Sequence, residues 1–207
     1  MDTSQNRSKE RRQRLLDAAL SVFSKKGYRD GAMDEIAGES GTSKGGVYFH
    51  FPSKQAIFLA LLDRTAARLL DNVEEAIASE NDPIAKADAA LLAVLRTFAR
   101  HRGLARLFMV EALGAGREFH ERVLQIHSDF ARVIKRQLDE AVAEGAIEPV
   151  DTDVASRAWF GALNEIVTTW VLSKKPGSLE ESYRALRPIL MRSVGVSDFS
   201  TEAQKTR

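Results

Sequence analysis

Apolar residues recur at three- and four-residue spacing along nearly the whole chain, and nowhere do they alternate over the length of a strand. That period places them on one face of a helix, whereas alternation would place them on one face of a sheet. Leu15, Leu16, Ala19, Val22 and Phe23 form the first stripe, which stops at Gly27. Met33, Ile36 and Ala37 mark a short second helix, Gly41 a sharp turn, and residues 43–49 a short third helix. Pro52 cannot continue that helix, and Ser53 is placed to cap a fourth that carries Ile57, Phe58, Leu61, Leu62, Leu69 and Val73. Five more helices are expected over 83–100, 104–113, 117–144, 152–172 and 178–194, with Gly, Pro and polar breaks between them. Nine helices with short connections make an all-α fold. Residues 197–207 are expected to form a disordered tail.

The composition narrows the function. The chain has 207 residues and no cysteine, which excludes disulfides, thiolate metal sites and Cys nucleophiles and fits a cytoplasmic setting. No apolar run reaches the roughly 18–20 residues that a membrane span needs, so no membrane partner is expected. Residues 1–14 lack the apolar core of a secretory signal. His120 and His127 are seven apart on the seventh helix but have no third ligand, and no catalytic constellation is visible. The chain is therefore read as no enzyme, without metal or cofactor. The net charge of +1 hides an asymmetry: residues 1–60 carry ten Lys/Arg against seven Asp/Glu, and the remainder twenty against 22. The basic excess is densest in Arg7, Lys9, Arg11, Arg12 and Arg14 and suggests a polyanion contact at one end.

Residues 33–51 have the pattern of a helix–turn–helix, two short helices joined by a tight turn at Gly41. The second helix of such a motif enters the major groove of DNA. Val47 and Phe51 lie four apart and face the core, while Ser43, Lys44, Tyr48, His50 and Lys54 offer hydrogen-bond donors. The run Ile36-Ala37, Gly41, Ser43-Lys44-Gly45, Tyr48, Phe51 and Ser53-Lys54 resembles the signature of the TetR family of bacterial transcriptional repressors, over about residues 12–58. The resemblance implies a DNA-binding domain at 8–53 and a ligand-binding and dimerisation domain at 54–196. It also implies phosphate contacts from Tyr48, His50 and Lys54, and a groove-facing start of the recognition helix at Ser43, Lys44, Gly45 and Gly46. Two departures stand out. Gly31 and Ala32 occupy positions where the family often has Thr, a hydroxyl that could cap the second helix, and Gly46 replaces a common Thr.

The body is rich in large apolar side chains. Phe98, Phe108, Met109, Leu113, Phe130, Trp159, Leu163 and Trp170 are the candidates to line a pocket between helices. Helix 154–172 is apolar or small on more than one face, so it needs a partner inside the monomer and another outside it. Ala158, Ala162, Leu186 and Leu190 are the candidate dimer contacts, across the two-fold axis that the family resemblance implies. The stretch from Trp159 to Val171 is similar to the TetR-type regulators of fatty-acid degradation. That similarity implies a long-chain acyl-CoA as a small hydrophobic effector that releases a homodimer from a palindromic double-stranded DNA operator. Arg100, Arg102, Arg106 and Arg117 are candidates to meet the CoA phosphates. Two alternatives are a regulator answering another apolar ligand, such as a drug-efflux regulator, and a helical lipid-binding module without a DNA role. The stretch from Ile36 to Lys54 speaks against the last.

Overall fold

The computed structural model of the chain describes residues 3–196, which are helical throughout apart from turns and loops, with no strand among them. The elements are α1 (Thr3–Asp30), α2 (Met33–Ser40), α3 (Lys44–His50), α4 (Lys54–Ala78) and α5 (Pro83–Arg100). There follow α6, a run of Arg102–Arg106, Leu107–Glu111 and Ala112–Gly114, then α7 (Arg117–Ala143), α8 (Thr152–Leu172) and α9 (Leu179–Ser193). The nine expected helices are all present among the described residues. The tail expected over 197–207 lies outside them.

Two helices depart from the sequence reading in detail. The stop expected at Gly27 is a kink: Gly27 takes φ 81° and ψ 168°, and one further turn is closed by the Gly31 N–H donating to Gly27 O at 3.2 Å. The middle of α6, Leu107–Glu111, is a π-helical turn rather than α-helix. Pro188 lies inside α9, which runs on past it to Ser193.

The chain divides into two compact units, one of residues up to Leu70 with His101–Ile126, the other of Asp71–Arg100 with the residues from His127 on. In the first, α1 buries Leu15, Leu16, Ala19, Val22 and Phe23 completely or nearly so, with Ile36, Val47, Ile57, Phe58, Leu61 and Leu62. Each of these side chains larger than alanine contributes about 1.5–3 kcal/mol by leaving water. Phe23, Tyr28, Phe58 and Phe119 form a ring cluster with centroids 4.5–5.8 Å apart.

The second unit buries Leu91, Leu95, Phe98, Phe130, Ile134, Leu138, Trp159, Leu163, Val167 and Met191. Polar clamps fix its last two helices. The Trp159 indole N–H donates to Ser193 Oγ at 3.0 Å, and the Trp170 N–H to Gly177 O at 2.9 Å. The carboxylate of Asp88 on α5 accepts from the Tyr183 hydroxyl and from Arg187 Nε at 2.8 Å, both on α9. Burial, and then the Asp88 charge, push the Tyr183 phenol up, so it stays protonated and donating.

Gly41 carries the backbone demand on which the helix–turn–helix depends. It sits at φ 64°, ψ 29°, where a Cβ meets no neighbour but opposes the chain's own carbonyl. Gly41→Ala is expected to cost about 1–2 kcal/mol, read as a lower urea midpoint with an unchanged slope. An unchanged midpoint would show that the turn is not held in this conformation.

Candidate functional site

The end of α2, its turn and α3 are closed by local hydrogen bonds. No hydroxyl caps α2. Glu35 instead reaches back, its Oε2 accepting from the Ala32 N–H at 3.2 Å while its other oxygen holds Lys26. These bonds keep the Glu35 carboxyl below its usual pKa. This is the N3 half of a capping box, and it serves where Gly31 and Ala32 offer no hydroxyl. At the other end of α2 the Thr42 N–H donates to Ala37 O at 3.0 Å, the return bond of a glycine C-cap. Ser43 then caps α3, its Oγ accepting from the Gly46 N–H at 3.2 Å.

With that frame, α3 turns Val47 and the following Phe51 into the core and leaves Tyr48 and Phe49 outward. Phe49 is 82% exposed, an unusual position for a large apolar ring, and the sequence reading passed it over. Its signal was present: it sits between Tyr48 and His50, off the face set by Val47 and Phe51. A Cβ at Gly45 would meet nothing within 4 Å, so the backbone there is open to a close approach. A Cβ at Gly46 would lie 2.8 Å from Thr42 Cγ2, so this glycine relieves crowding inside the cap.

The cations near α3 are differently engaged. Lys44 Nζ pairs with the Asp34 carboxylate at 3.0 Å, and this partner holds its pKa above the usual range. Lys54 Nζ donates to Arg29 O at 2.8 Å and Gly31 O at 3.1 Å and lies 4.9 Å from the Tyr28 ring centre. It ties down the loop that leads into α2. The Arg12 guanidinium covers the Phe51 ring at 5.0 Å, and Arg7, Lys9, Arg11 and Arg14 are exposed along the same helix. His50 is half-buried against the Phe49 ring; burial first, then Arg11 and Arg12, lower its pKa below 6.5.

The eight candidate pocket residues are divided between the two units, three in the first and five in the second. Phe130 and Leu163 line an apolar cavity in the second unit, with Val94, Val133, Ile134 and Phe160 among its other walls. The cavity measures about 10 Å³, room for one water molecule at most. Phe98 and Trp159 are buried in the same unit, and Trp170 is half-buried with its N–H on Gly177 O. Phe108, Met109 and Leu113 belong to the first unit, where Phe108 is buried and Leu113 exposed. Phe160, a further wall residue, stacks at 6.4 Å on Phe130 and lies 4.9 Å from the His127 ring. Of the four arginines, Arg106 pairs with Glu111 and Arg117 with Glu121.

Ala158 lies on the surface of α8 and Ala162 is half-buried, whereas Leu186 and Leu190 point into their own unit. The outward apolar residue of α9 is Ile189. Among the described residues no three His, Asp or Glu side chains are grouped to hold a metal ion, and no helix is long and apolar enough to cross a membrane.

The depressed pKa of His50 gives a pH signature. Around pH 6 the unfolded chain binds the proton more readily, so this group's share of stability is present above pH 6.5 and lost as pH falls. An anion bound beside His50 would raise its pKa and take up the proton. Polyanion affinity is expected to rise roughly two- to tenfold per site between pH 8 and pH 6, and His50→Gln is expected to flatten that slope. A slope that survives in His50→Gln would assign it to another group.

Comparison with known proteins agrees with this arrangement. Residues 15–61 match the family model described as bacterial regulatory proteins, tetR family. Residues 80–186, just over half of the chain, match the tetracyclin repressor-like C-terminal domain. The fatty acid metabolism regulator protein of Bacillus subtilis is 23% identical over 181 residues, which cover 87% of this chain and 93% of that one. The structure of FadR from Bacillus subtilis in complex with stearoyl-CoA superposes with a TM-score of 0.80 at 22% identity, covering 90% of this chain and 99% of the other. AibR in complex with isovaleryl coenzyme A and operator DNA gives 0.68 at 18% identity, covering 86% and 97%. At these identities the structural likeness speaks for the fold. The matched models, together with a capped helix–turn–helix flanked by a basic α1, place the chain in the TetR family of transcriptional regulators.

Proposed function

We propose that the chain is a ligand-responsive repressor that acts in the cytoplasm and binds a palindromic operator as a homodimer, and that a long-chain acyl-CoA releases it. Residues 8–53 serve as the DNA-binding domain and 54–196 as the ligand-binding and dimerisation domain. The observation that carries the DNA role is the outward face of α3, where Gly45, Tyr48 and Phe49 stand open while Ser43 and Gly46 close the cap. Lys44 and the Gly45 backbone approach base edges in the groove. Tyr48, His50 and the remaining N–H of Lys54 meet phosphates, which fix register without reading sequence. The neighbouring arginines of α1 add to the salt-dependent part of the affinity.

The dimer reading rests on α8. Val154, Ala158, Gly161 and Leu172 leave an apolar or small stripe at its surface, interrupted by Glu165, and Ile189 of α9 is exposed as well. Apolar area left in water is unfavourable by about 25 cal/mol per Å², and a self-complementary two-fold contact removes it. Light scattering at micromolar concentration is expected to show a dimer, and Ala158→Glu combined with Ile189→Glu a folded monomer. A wild-type monomer would refute the interface.

The ligand reading is supported by the wholly apolar cavity between α4, α5, α7 and α8 of the second unit and by relatives whose structures hold acyl-CoAs. A ligand acts only by binding the DNA-incompetent form more tightly. With a coupling of about 1–3 kcal/mol, acyl-CoA is expected to weaken operator binding roughly 5- to 150-fold, and operator to weaken acyl-CoA binding by the same factor. Calorimetric titration with and without operator DNA measures both. Equal acyl-CoA affinity in the two titrations would exclude the mechanism, and no binding at any chain length would exclude the ligand class.

A further inference from the structure

The second unit contains two amide side chains whose buried oxygens lack partners, Gln137 on α7 and the half-buried Asn164 on α8. Gln137 is only 2% exposed. A buried amide oxygen without a donor is disfavoured and uncommon in folded proteins. Packing alone would be served by leucine there, since the neighbours along α7 are Val133, Ile134, Leu138 and Ala141, all buried. Neither amide lines the apolar cavity itself, but each lies within about one helical turn of residues that do. Gln137 lies three and four residues beyond Ile134 and Val133, which line it, and so continues the same helical face. Asn164 follows Leu163 and stands one turn beyond Phe160, both also lining residues. The cavity walls are apolar side chains and present no donor of their own.

We infer that the ligand of this unit carries a hydrogen-bond donor beside its apolar chain, a hydroxyl or an amide N–H, which Gln137 and Asn164 accept. This rests on the reading that an acyl ligand enters the cavity. Two sources supply the same chemistry: a hydroxyl on the acyl chain, or the amide N–H groups of the pantetheine arm of a thioester. In both, the two amide residues set specificity by rewarding a donor that a plain hydrocarbon lacks.

The test is calorimetric titration of hexadecanoyl-CoA, 3-hydroxyhexadecanoyl-CoA and hexadecanoate into wild type, Gln137→Leu, Gln137→Met and Asn164→Leu. Wild type is expected to favour a donor-bearing probe by roughly tenfold for each bond made, and the variants to lose that preference. Thermal melting is expected to show Gln137→Leu at least as stable as wild type, and Gln137→Met serves if the leucine variant does not fold. Loss of a preference for the hydroxylated thioester over the plain one assigns the donor to the chain. Loss of the advantage of both thioesters over hexadecanoate assigns it to the arm. Variants that bind all three probes in wild-type ratios overturn the inference while leaving the acyl reading intact. Wild type that binds none of the three overturns the acyl reading itself, before any variant is considered.

Discussion

Phe23, Tyr28, Phe58 and Phe119 touch one another across the break in α1, and the placement of the recognition helix depends on them. Gly27 ends the regular course of α1, and without support the chain beyond it would be free to swing. Tyr28 prevents this by lodging against Phe58 of α4 and Phe119 of α7. The polar groups around it add direction. Lys54 lies over the Tyr28 ring and binds two carbonyls of the next residues, while Glu111 of the π-helical turn accepts from the Tyr28 N–H at 3.4 Å and pairs with Arg106. Only two residues separate the end of α1 from the start of α2, so its angle of entry, and through the Gly41 turn that of α3, follows from this cluster.

Much of this was legible in the sequence. The period of the apolar residues gave nine helices and the inward faces of Val47 and Phe51, and Gly41 marked the turn; Ser43, read as a groove-facing donor, turns out to cap α3. What escaped was set by partners distant along the chain. The carbonyls that occupy Lys54 belong to residues 29 and 31, so its position in the motif suggested a phosphate ligand and its role as a loop anchor stayed hidden. The π-helical turn is one slipped hydrogen-bond register, and five ordinary helix formers, Leu107–Glu111, do not announce it.

The candidate pocket and interface sets show the same limit. A stripe says that a residue is buried, not against what. Leu186 and Leu190 read as a contact between copies because the family resemblance implies that the last two helices pair across a two-fold axis. In the structure they turn inward, on the helix that Tyr183 and Arg187 pin to Asp88 of α5. That pinning sets the rotation of α9 and leaves Ile189 outward. Phe98, Trp159 and Trp170 serve as packing and as indole N–H donors within their own unit.

The tightness of the second unit acts as an energetic threshold for whatever it admits. At about 10 Å³ its apolar cavity has no room for a hydrocarbon chain. A guest must part side chains such as Phe130 and Phe160 before its first methylene gains anything. That opening work is nearly independent of the guest, whereas the return grows by about 0.8 kcal/mol with every methylene buried. For the acyl chain proposed as that guest, the sum would stay unfavourable below some chain length and affinity would climb steeply above it. Selection by size then needs no wall that measures the chain: the resistance of a well-packed interior sets the minimum, and mutations that loosen the packing would lower it.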